Sequence, residues 1–194
     1  MRALIGITAA TGMLYAVRLV ETLRQMHVDT CLIMSRDAAT ILLQETGYPV
    51  SYLKDLVDDF YYEDTVLSPA PGRSGVPAAD AMIMIPCSVK SLASLVHDAP
   101  VNFLQAAAGN TLKTGKKLVL VASEPVYRPE QLDVLLHLAY QGAVIMPYMP
   151  SFYHQPATID DIVSHHTGRI LDLLGIDHNL VKRWGEASPG PVRP

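Results

Sequence analysis

Hydroxyl side chains follow three separate apolar segments of the chain, each just before a helical pattern. Thr11 closes the small-residue turn Ala9-Ala10 after the first segment, Ser35 follows the second, and Ser88 follows the third. The carboxyl ends of parallel strands meet at one edge of a sheet, where helix N-termini present free backbone N–H groups. The three hydroxyls could therefore line a pocket for a phosphorylated ligand, although each one alone is better explained as a helix cap.

The third segment, AMIMIPCSVKSLASLV over residues 81–96, is the stretch around which the rest of the chain is organised. Its apolar half is too short for a free-standing helix and is typical of a strand buried on both faces. Read alone, Cys87 is more typical of a buried small apolar residue than of a nucleophile. The polar corner that follows Pro86 consists of Cys87, Ser88, Val89 and Lys90.

A carboxylate follows a fourth apolar segment. Residues 118–122 are succeeded by Ser123 and Glu124, which predicts an acidic group at the same sheet edge. The turn at Gly12 has neither the GxGxxG pattern of dinucleotide-binding proteins nor the lysine of a P-loop. The sequence therefore predicts a ligand edge without either of these nucleotide fingerprints.

Five apolar segments alternate with helical patterns, which predicts an α/β fold: a parallel sheet with helices on both faces. We expect one domain over residues 1–184 and a flexible tail over 185–194. The acidic, aromatic run 58–64 is expected to be a solvated, subunit-facing loop. Residues 68–79, rich in Pro and Gly, are expected to form a loop that either covers the sheet edge or is a mobile connection. The predicted strands are 3–8, 29–35, 81–86, 118–122 and 143–146.

Bulk composition narrows the class of partner. The 194 residues are 49% hydrophobic and 18% charged, which favours buried subunit surface and a homo-oligomer. A net charge of -4 argues against nucleic acid, which needs a concentrated basic face. The two cysteines have no metal-site or disulfide spacing, so we expect a reducing, cytoplasmic setting. The sequence contains no apolar run long enough to span a membrane and no targeting pattern.

The motifs GITAATG, IPCSVKSL, LKTGKKLVLV, QGAVIMP, SFYHQPATIDDIV, RILDLLGI and RWGE resemble those of the flavin prenyltransferase (UbiX-type) family, collinearly from Leu4 to Trp184. The resemblance implies a flavodoxin-like, Rossmann-like fold that binds FMN and forms a trimer-based homo-oligomer, typically a dodecamer. It also implies transfer of a dimethylallyl group from dimethylallyl phosphate to reduced FMN, without a metal. The prenylated FMN would then serve a partner decarboxylase.

The resemblance also implies roles for individual residues. Glu124 matches the family's acidic residue for proton transfers, and Thr11 is the second candidate catalytic residue. Lys113, Tyr153 and Arg169 match the group that holds the phosphate of the prenyl donor. Neutralising that leaving phosphate with Lys, Arg and a phenol is physically reasonable for breaking an allylic C–O bond. The expected flavin-contacting residues are Ala9, Ala10, Thr11, Ser35, Cys87, Ser88, Val89, Lys90 and Ser123.

The sequence departs from the family pattern where two arginines are usual, because Ser123 and Ala106 stand there. Arg128, Lys116 or Arg73 could compensate. The departures leave a second hypothesis open, an FMN-binding flavoprotein that carries or reduces flavin without prenyl transfer. A third, a flavin-dependent decarboxylase of cysteine-like substrates, is weaker because it gives the Lys113, Tyr153 and Arg169 set no role.

Overall fold

The computed structural model describes residues 1–65, 75–124 and 126–183. They belong to two compact units, Met1–Tyr148 and Met149–Pro194. The strands are β1 (Arg2–Ile7), β2 (Asp29–Met34), β3 (Asp59–Tyr62), β4 (Ala81–Cys87), β5 (Lys117–Ala122) and β6 (Val144–Ile145). The helices are α1 (Met13–Gln25), α2 (Ala38–Thr46), α3 (Val50–Leu56), α4 (Ala93–Val96), α5 (Phe103–Lys113), α6 (Pro129–Tyr140) and α7 (Ile159–Leu174), and Val89–Leu92 form a 3-10 turn.

The first unit contains a six-stranded sheet in the order β3-β2-β1-β4-β5-β6, with all neighbours parallel. The five predicted strands alone would have the order 2-1-3-4-5, which is the flavodoxin-like order. All seven residues of β4 are buried, which requires cover on both of its faces. The predicted fold class is therefore confirmed.

Strand β3 corrects the expectation of a loop over residues 58–64. Its four residues pair in parallel with Cys31–Met34 at the edge of the sheet. Tyr61 packs edge-on against Phe103, with ring centroids 5.4 Å apart. Arg36 lies 4.4 Å over the ring of Tyr62. Aromatic residues therefore fill both faces of this edge strand, and a cation covers the more polar face, so no apolar–polar alternation marks it in the sequence.

Helix α5 runs from the carboxyl edge of the sheet to its amino edge. At its start, the N–H of Phe103 donates to the carbonyl of Glu63, just beyond β3. At its end, Lys113 lies four residues before Lys117, which pairs with Ala81 at the first position of β4. Eleven helical residues span about 15 Å, so the two ends of α5 serve opposite edges of the sheet.

The second unit is built around α7. Thr158 caps the helix by accepting from the N–H of Asp161, whose carboxylate accepts from the Thr158 N–H in return. This reciprocal pair is a capping box, which satisfies two backbone N–H groups at the start of α7. Gly168 makes room for the segment that follows the helix, since a Cβ there would lie 2.5 Å from Val181 Cγ2 and 2.8 Å from His178 Cε1. The chain after α7 therefore lies directly against the backbone of the helix.

Two expectations concern parts of the chain that the structure does not describe. Most of the predicted loop 68–79 and all of the predicted tail 185–194 lie outside the described residues. The interpretation of residues 1–184 as one domain stays a prediction. No helix in the described part of the chain is long and apolar enough to cross a bilayer.

Candidate active site

The chain turn after β4 is tied to the end of β1 by hydrogen bonds through Thr8. The N–H of Thr8 donates to the Pro86 carbonyl at 3.1 Å, and the N–H of Ser88 donates to Thr8 Oγ1 at 3.0 Å. Ser88 Oγ lies 2.7 Å from Ser91 Oγ and accepts from the Ser91 N–H at 3.4 Å. Ser88 therefore caps the turn that follows it, as the simpler of its two interpretations has it.

Glu124 completes what we call the β4 corner: Cys87, Ser88 and Val89 with Ser123 and Glu124. The N–H of Val89 donates to Glu124 Oε1 at 2.6 Å, and the N–H of Ser123 donates to the Cys87 carbonyl at 3.1 Å. Glu124 Oε2 is buried and has no hydrogen-bond partner among the described residues. The structure thus brings five of the predicted site residues together, with one carboxylate oxygen open to a further donor.

Cys87 and Lys90 differ in exposure to solvent, because the Cys87 side chain is buried and the Lys90 side chain is exposed. The Cys87 thiol is fully buried, and burial, with a smaller effect of the Glu124 carboxylate, raises its pKa above the ordinary value. It is therefore a neutral thiol at physiological pH, which excludes a thiolate nucleophile. Lys90 projects into solvent. At this corner the side chain of Lys90 is exposed, while the neighbouring Val89 side chain is buried.

A second carboxylate, which sequence reasoning missed, meets the start of α1. Glu45, near the end of α2, accepts from the Thr11 hydroxyl at 2.6 Å and from the N–H groups of Gly12 and Met13 at 2.9 and 2.8 Å. We call Thr11, Gly12, Met13 and Glu45 the β1 corner. The helix N-terminus that could have received an anionic ligand already holds the chain's own anion.

Two tyrosines wall the β1 corner. Gly12 has φ +107°, and a Cβ there would lie 2.9 Å from the ring of Tyr148. The rings of Tyr15 and Tyr148 lie 4.5 Å apart. Burial raises the pKa of both phenols. Only glycine fits position 12, because both its backbone conformation and the adjacent ring exclude a side chain.

Ser35 is buried at the end of β2, beside these corners. Its N–H donates to the Ile7 carbonyl at 2.9 Å, whereas its hydroxyl oxygen has no partner in the described ranges. Ala9 and Ala10 form the turn after β1, where the Ala10 N–H donates to the Thr8 carbonyl at 2.9 Å. Ser35 is therefore a predicted flavin contact whose hydroxyl is placed for a ligand rather than for a helix cap.

Lys113 lies at the opposite edge of the sheet from Glu124. Its ammonium group forms an ion pair of 2.7 Å with Asp98, and both side chains are more than half exposed. Lys113 also lines a cavity of about 340 Å³ with Leu95, Gly109 and Leu112. Within one chain, α5 therefore holds Lys113 away from Glu124, the residue that the resemblance assigns to proton transfer.

Tyr153 and Arg169 line one cavity of about 300 Å³ in the second unit, together with His165 and Arg183. The Tyr153 hydroxyl donates to the Lys182 carbonyl at 2.7 Å and lies 3.0 Å from His165 Nε2. Since the phenol has one hydrogen, His165 Nε2 must be the donor in the second contact. Burial lowers the pKa of His165, so the ring is neutral at pH 7. Two of the three predicted donor-binding residues thus share a cavity.

The candidates for replacing the missing arginines are dispersed. Arg128 is exposed immediately before α6, and Lys116, at the amino edge of the sheet, donates to the carbonyl of Ala79. Arg73 lies outside the described residues. In the part of the chain that the structure describes, neither Arg128 nor Lys116 belongs to the β4 corner.

The carboxyl edge of the sheet has the chemistry that an FMN site needs. Two buried oxygens there, Ser35 Oγ and Glu124 Oε2, lack a partner within the described ranges, and a ligand with matching polar groups would satisfy them. Open α/β sheets bind nucleotides at this edge. The fold and this edge therefore define a nucleotide-binding α/β protein.

Comparisons with known proteins narrow that class. A sequence model of the family described as Flavoprotein matches residues 1–171. A protein named flavin prenyltransferase UbiX from Methanocaldococcus jannaschii is 35% identical over 185 residues, covering 95% of this chain and 99% of the relative. The chain therefore belongs to the flavoprotein family and, within it, to the flavin prenyltransferases.

Two crystal structures are similar over almost the whole chain. One is described as a dodecameric FMN-dependent Ubix-like decarboxylase from Escherichia coli O157:H7, with a TM-score of 0.87, 36% identity and coverage of 95% of this chain and 99% of that one. The other is AnUbiX in complex with FMN and dimethylallyl pyrophosphate, with a TM-score of 0.89, 31% identity and coverage of 96% and 98%. Both support the family assignment and the fold.

Proposed function

We propose that this protein is an FMN-dependent flavin prenyltransferase that uses dimethylallyl phosphate as the prenyl donor. The observation that carries the proposal is the Glu124 carboxylate. One of its oxygens is fixed by the Val89 N–H at 2.6 Å, and the other is buried without a partner in the described part of the chain. A carboxyl group held in this way is placed to exchange a proton with a ligand at the sheet edge.

In this proposal the flavin lies against the carboxyl edge of the sheet. When bound, reduced FMN supplies the nucleophile that takes the dimethylallyl group. Glu124 exchanges a proton with the bound ligand. Thr11, whose hydroxyl donates to Glu45, is the second candidate catalytic residue. Cys87 contributes bulk rather than nucleophilicity, because its thiol stays protonated. The proposed flavin contacts are Ala9, Ala10, Thr11, Ser35, Cys87, Ser88, Val89, Lys90 and Ser123.

The phosphate of the donor is assigned to Tyr153, Arg169 and Lys113. Charge-assisted hydrogen bonds from these groups would stabilise the negative charge that grows on the leaving oxygen. Because Lys113 lies at the opposite edge of the sheet, about 15 Å along α5, we propose that it serves the site of another subunit. A homo-oligomer, trimer-based and dodecameric like the related Escherichia coli protein, is consistent with that arrangement.

The test is a mass spectrum of flavin released after anaerobic incubation of the protein with reduced FMN and dimethylallyl phosphate. The expected result is a flavin heavier by one five-carbon prenyl unit. Glu124→Gln is the matched variant, and Glu130→Gln, at an exposed carboxylate in the first turn of α6, is the control. Unmodified FMN from the native protein, bound tightly under the same conditions, would overturn the proposal.

A second candidate function is flavin binding without prenyl transfer, either as a carrier or in a redox role. It is favoured by Ser123 and Ala106, which stand where the family usually has arginines. Each lost charge-assisted hydrogen bond to a buried phosphate typically costs about 1.5–3 kcal/mol. Under the first proposal a partner decarboxylase would consume the product. The two free cysteines support a reducing, cytoplasmic setting for either function.

A further inference from the structure

The cavity of the second unit holds a guanidinium group to which the resemblance assigned no role. Arg183 lines it together with Arg169, Tyr153 and His165. We propose that Arg183 is a second guanidinium for the phosphate of the prenyl donor. This inference rests on the proposed function for the identity of the donor, but the phosphate site itself can be tested separately.

Asp172 positions both arginines toward the same place. Arg183 donates to Asp172 Oδ1 at 2.8 Å, and Arg169 donates to Asp172 Oδ2 at 3.1 Å. His178, buried beside them, contacts Oδ1 at 3.1 Å. The pKa of the Asp172 carboxyl is held below its usual value, chiefly by its hydrogen bond from Arg183. The carboxylate therefore remains charged and fixes two cations on neighbouring parts of the chain.

The charge balance of the cavity favours a multiply charged anion. Two guanidinium groups face one carboxylate, and His165 is neutral because burial lowers its pKa. The two guanidinium groups and the Asp172 carboxylate together carry one net positive charge. Each guanidinium has five N–H donors and uses only part of its set on Asp172. A phosphate monoester carries about 1.5 to 2 negative charges at neutral pH and three acceptor oxygens, which suits a pair of guanidinium forks.

Arg183 is held in place by the segment before it. That segment lies against α7 at Gly168, and the carbonyl of Lys182 accepts the hydrogen of the Tyr153 phenol at 2.7 Å. The phenol and Arg183 are thus coupled through adjacent residues. A phosphate that accepts the Tyr153 hydrogen bond in place of the Lys182 carbonyl would therefore lie close to the residue that follows, Arg183.

The experiment measures binding rather than transfer. Titration calorimetry of the FMN-loaded full chain with dimethylallyl phosphate, and with inorganic phosphate, compares the native protein with Arg183→Gln. Loss of one charge-assisted contact at a half-exposed group predicts roughly tenfold weaker binding of both anions, with FMN affinity unchanged. Arg183→Lys should recover part of the loss. Arg24→Gln removes a similarly exposed arginine that is paired with Asp58 and should change nothing.

A purely structural role is separated by Asp172→Asn. This change breaks the Arg183 contact from the other side but leaves both guanidinium groups in the cavity. We expect a smaller loss of phosphate affinity than in Arg183→Gln. An equal loss in both variants would show that the contact only holds the segment in place, and native affinity in Arg183→Gln would exclude any role; either result overturns the inference.

The outcome is independent of prenyl transfer. Arg183-dependent phosphate binding in a protein that leaves FMN unmodified would support the phosphate site and remove the prenyltransferase. Prenylated FMN from the native protein, together with an unchanged donor KM in Arg183→Gln, would support the prenyltransferase and exclude Arg183 from the phosphate site. If the inference holds, Arg183→Gln raises the KM for dimethylallyl phosphate more than it lowers kcat.

Discussion

In both the β1 corner and the β4 corner a glutamate carboxylate accepts free backbone N–H groups, but the two carboxylates differ in burial. In each, a glutamate from elsewhere in the chain accepts backbone N–H groups at the end of a strand. At the β1 corner, Thr11 and Glu45 are exposed, and both carboxylate oxygens are bonded. At the β4 corner, one oxygen of Glu124 is buried and unbonded among the described residues.

We assign the proton transfer to Glu124 and not to Glu45 because of burial and an open carboxylate oxygen, although Glu45 accepts more hydrogen bonds. Glu45 makes three short contacts that water could largely replace, so each is worth little to stability. Glu124 makes one, but its second oxygen is out of water and open to a ligand. An unsatisfied buried acceptor is costly, and one that persists at a sheet edge is typical of a functional site.

The sharpest test of this comparison is the substitution Glu124→Gln. It keeps the shape of the side chain and removes the carboxylate that we propose transfers the proton, so we expect prenyl transfer to slow by about 10²- to 10⁴-fold. Single-turnover rates of flavin modification would measure it, with Glu130→Gln as the control. A reduction of less than threefold would mean that Glu124 only anchors the Val89 N–H.

Backbone geometry at the β1 corner gives the next effect. Gly12→Ala forces a side chain into φ +107° and into the ring of Tyr148 at 2.9 Å. We expect a loss of about 3 kcal/mol in the free energy of unfolding, measured by urea denaturation. Gly47→Ala is the matched control: φ is +74° there and the space is open, so the cost should be about 1 kcal/mol. Equal costs would show that Tyr148 yields readily.

The smallest effect is expected from Glu45→Gln. The amide can still accept from the Gly12 and Met13 N–H groups and donate to Thr11, so only the interaction of a full charge with the start of α1 is lost. At this exposed site we expect about 0.5–1 kcal/mol of destabilisation, decreasing in high salt. Thermal unfolding at two salt concentrations would measure it. A loss of more than about 2 kcal/mol in the free energy of unfolding that does not depend on salt would show that Glu45, like Glu124, acts as a buried carboxylate.

The sequence allowed much of the sheet to be predicted. Residues 81–86 and 118–122 are short, uniformly apolar runs, and such runs are typical of strands covered on both faces. The prediction of a loop where β3 lies was wrong. The residue pattern of this strand is set by packing on Phe103 and by Arg36 over Tyr62, and these contacts come from distant parts of the chain. Local pattern cannot contain that information.

The site was predicted unevenly for a related reason. Ser88, Ser123 and Glu124 follow their own strands, so their shared edge is a consequence of parallel topology. Glu45 reaches the β1 corner from the end of α2, and Arg183 reaches its cavity from beyond α7. Both positions depend on tertiary contacts. The location of Lys113 could have been anticipated, because a helix between parallel strands must return to the amino edge.

Gly168 gives the second unit an adjustable spacing. Nothing larger than a hydrogen atom fits between α7 and the segment carrying Val181 and His178. A graded series at this position, alanine then serine then valine, would lift that segment progressively further from the helix. Arg183 would move with it while its own chemistry stayed intact. The size of the side chain at residue 168 thus sets the distance between α7 and this segment. Natural variation or design at this one position could therefore change the position of the Arg183 guanidinium without altering Arg183 itself.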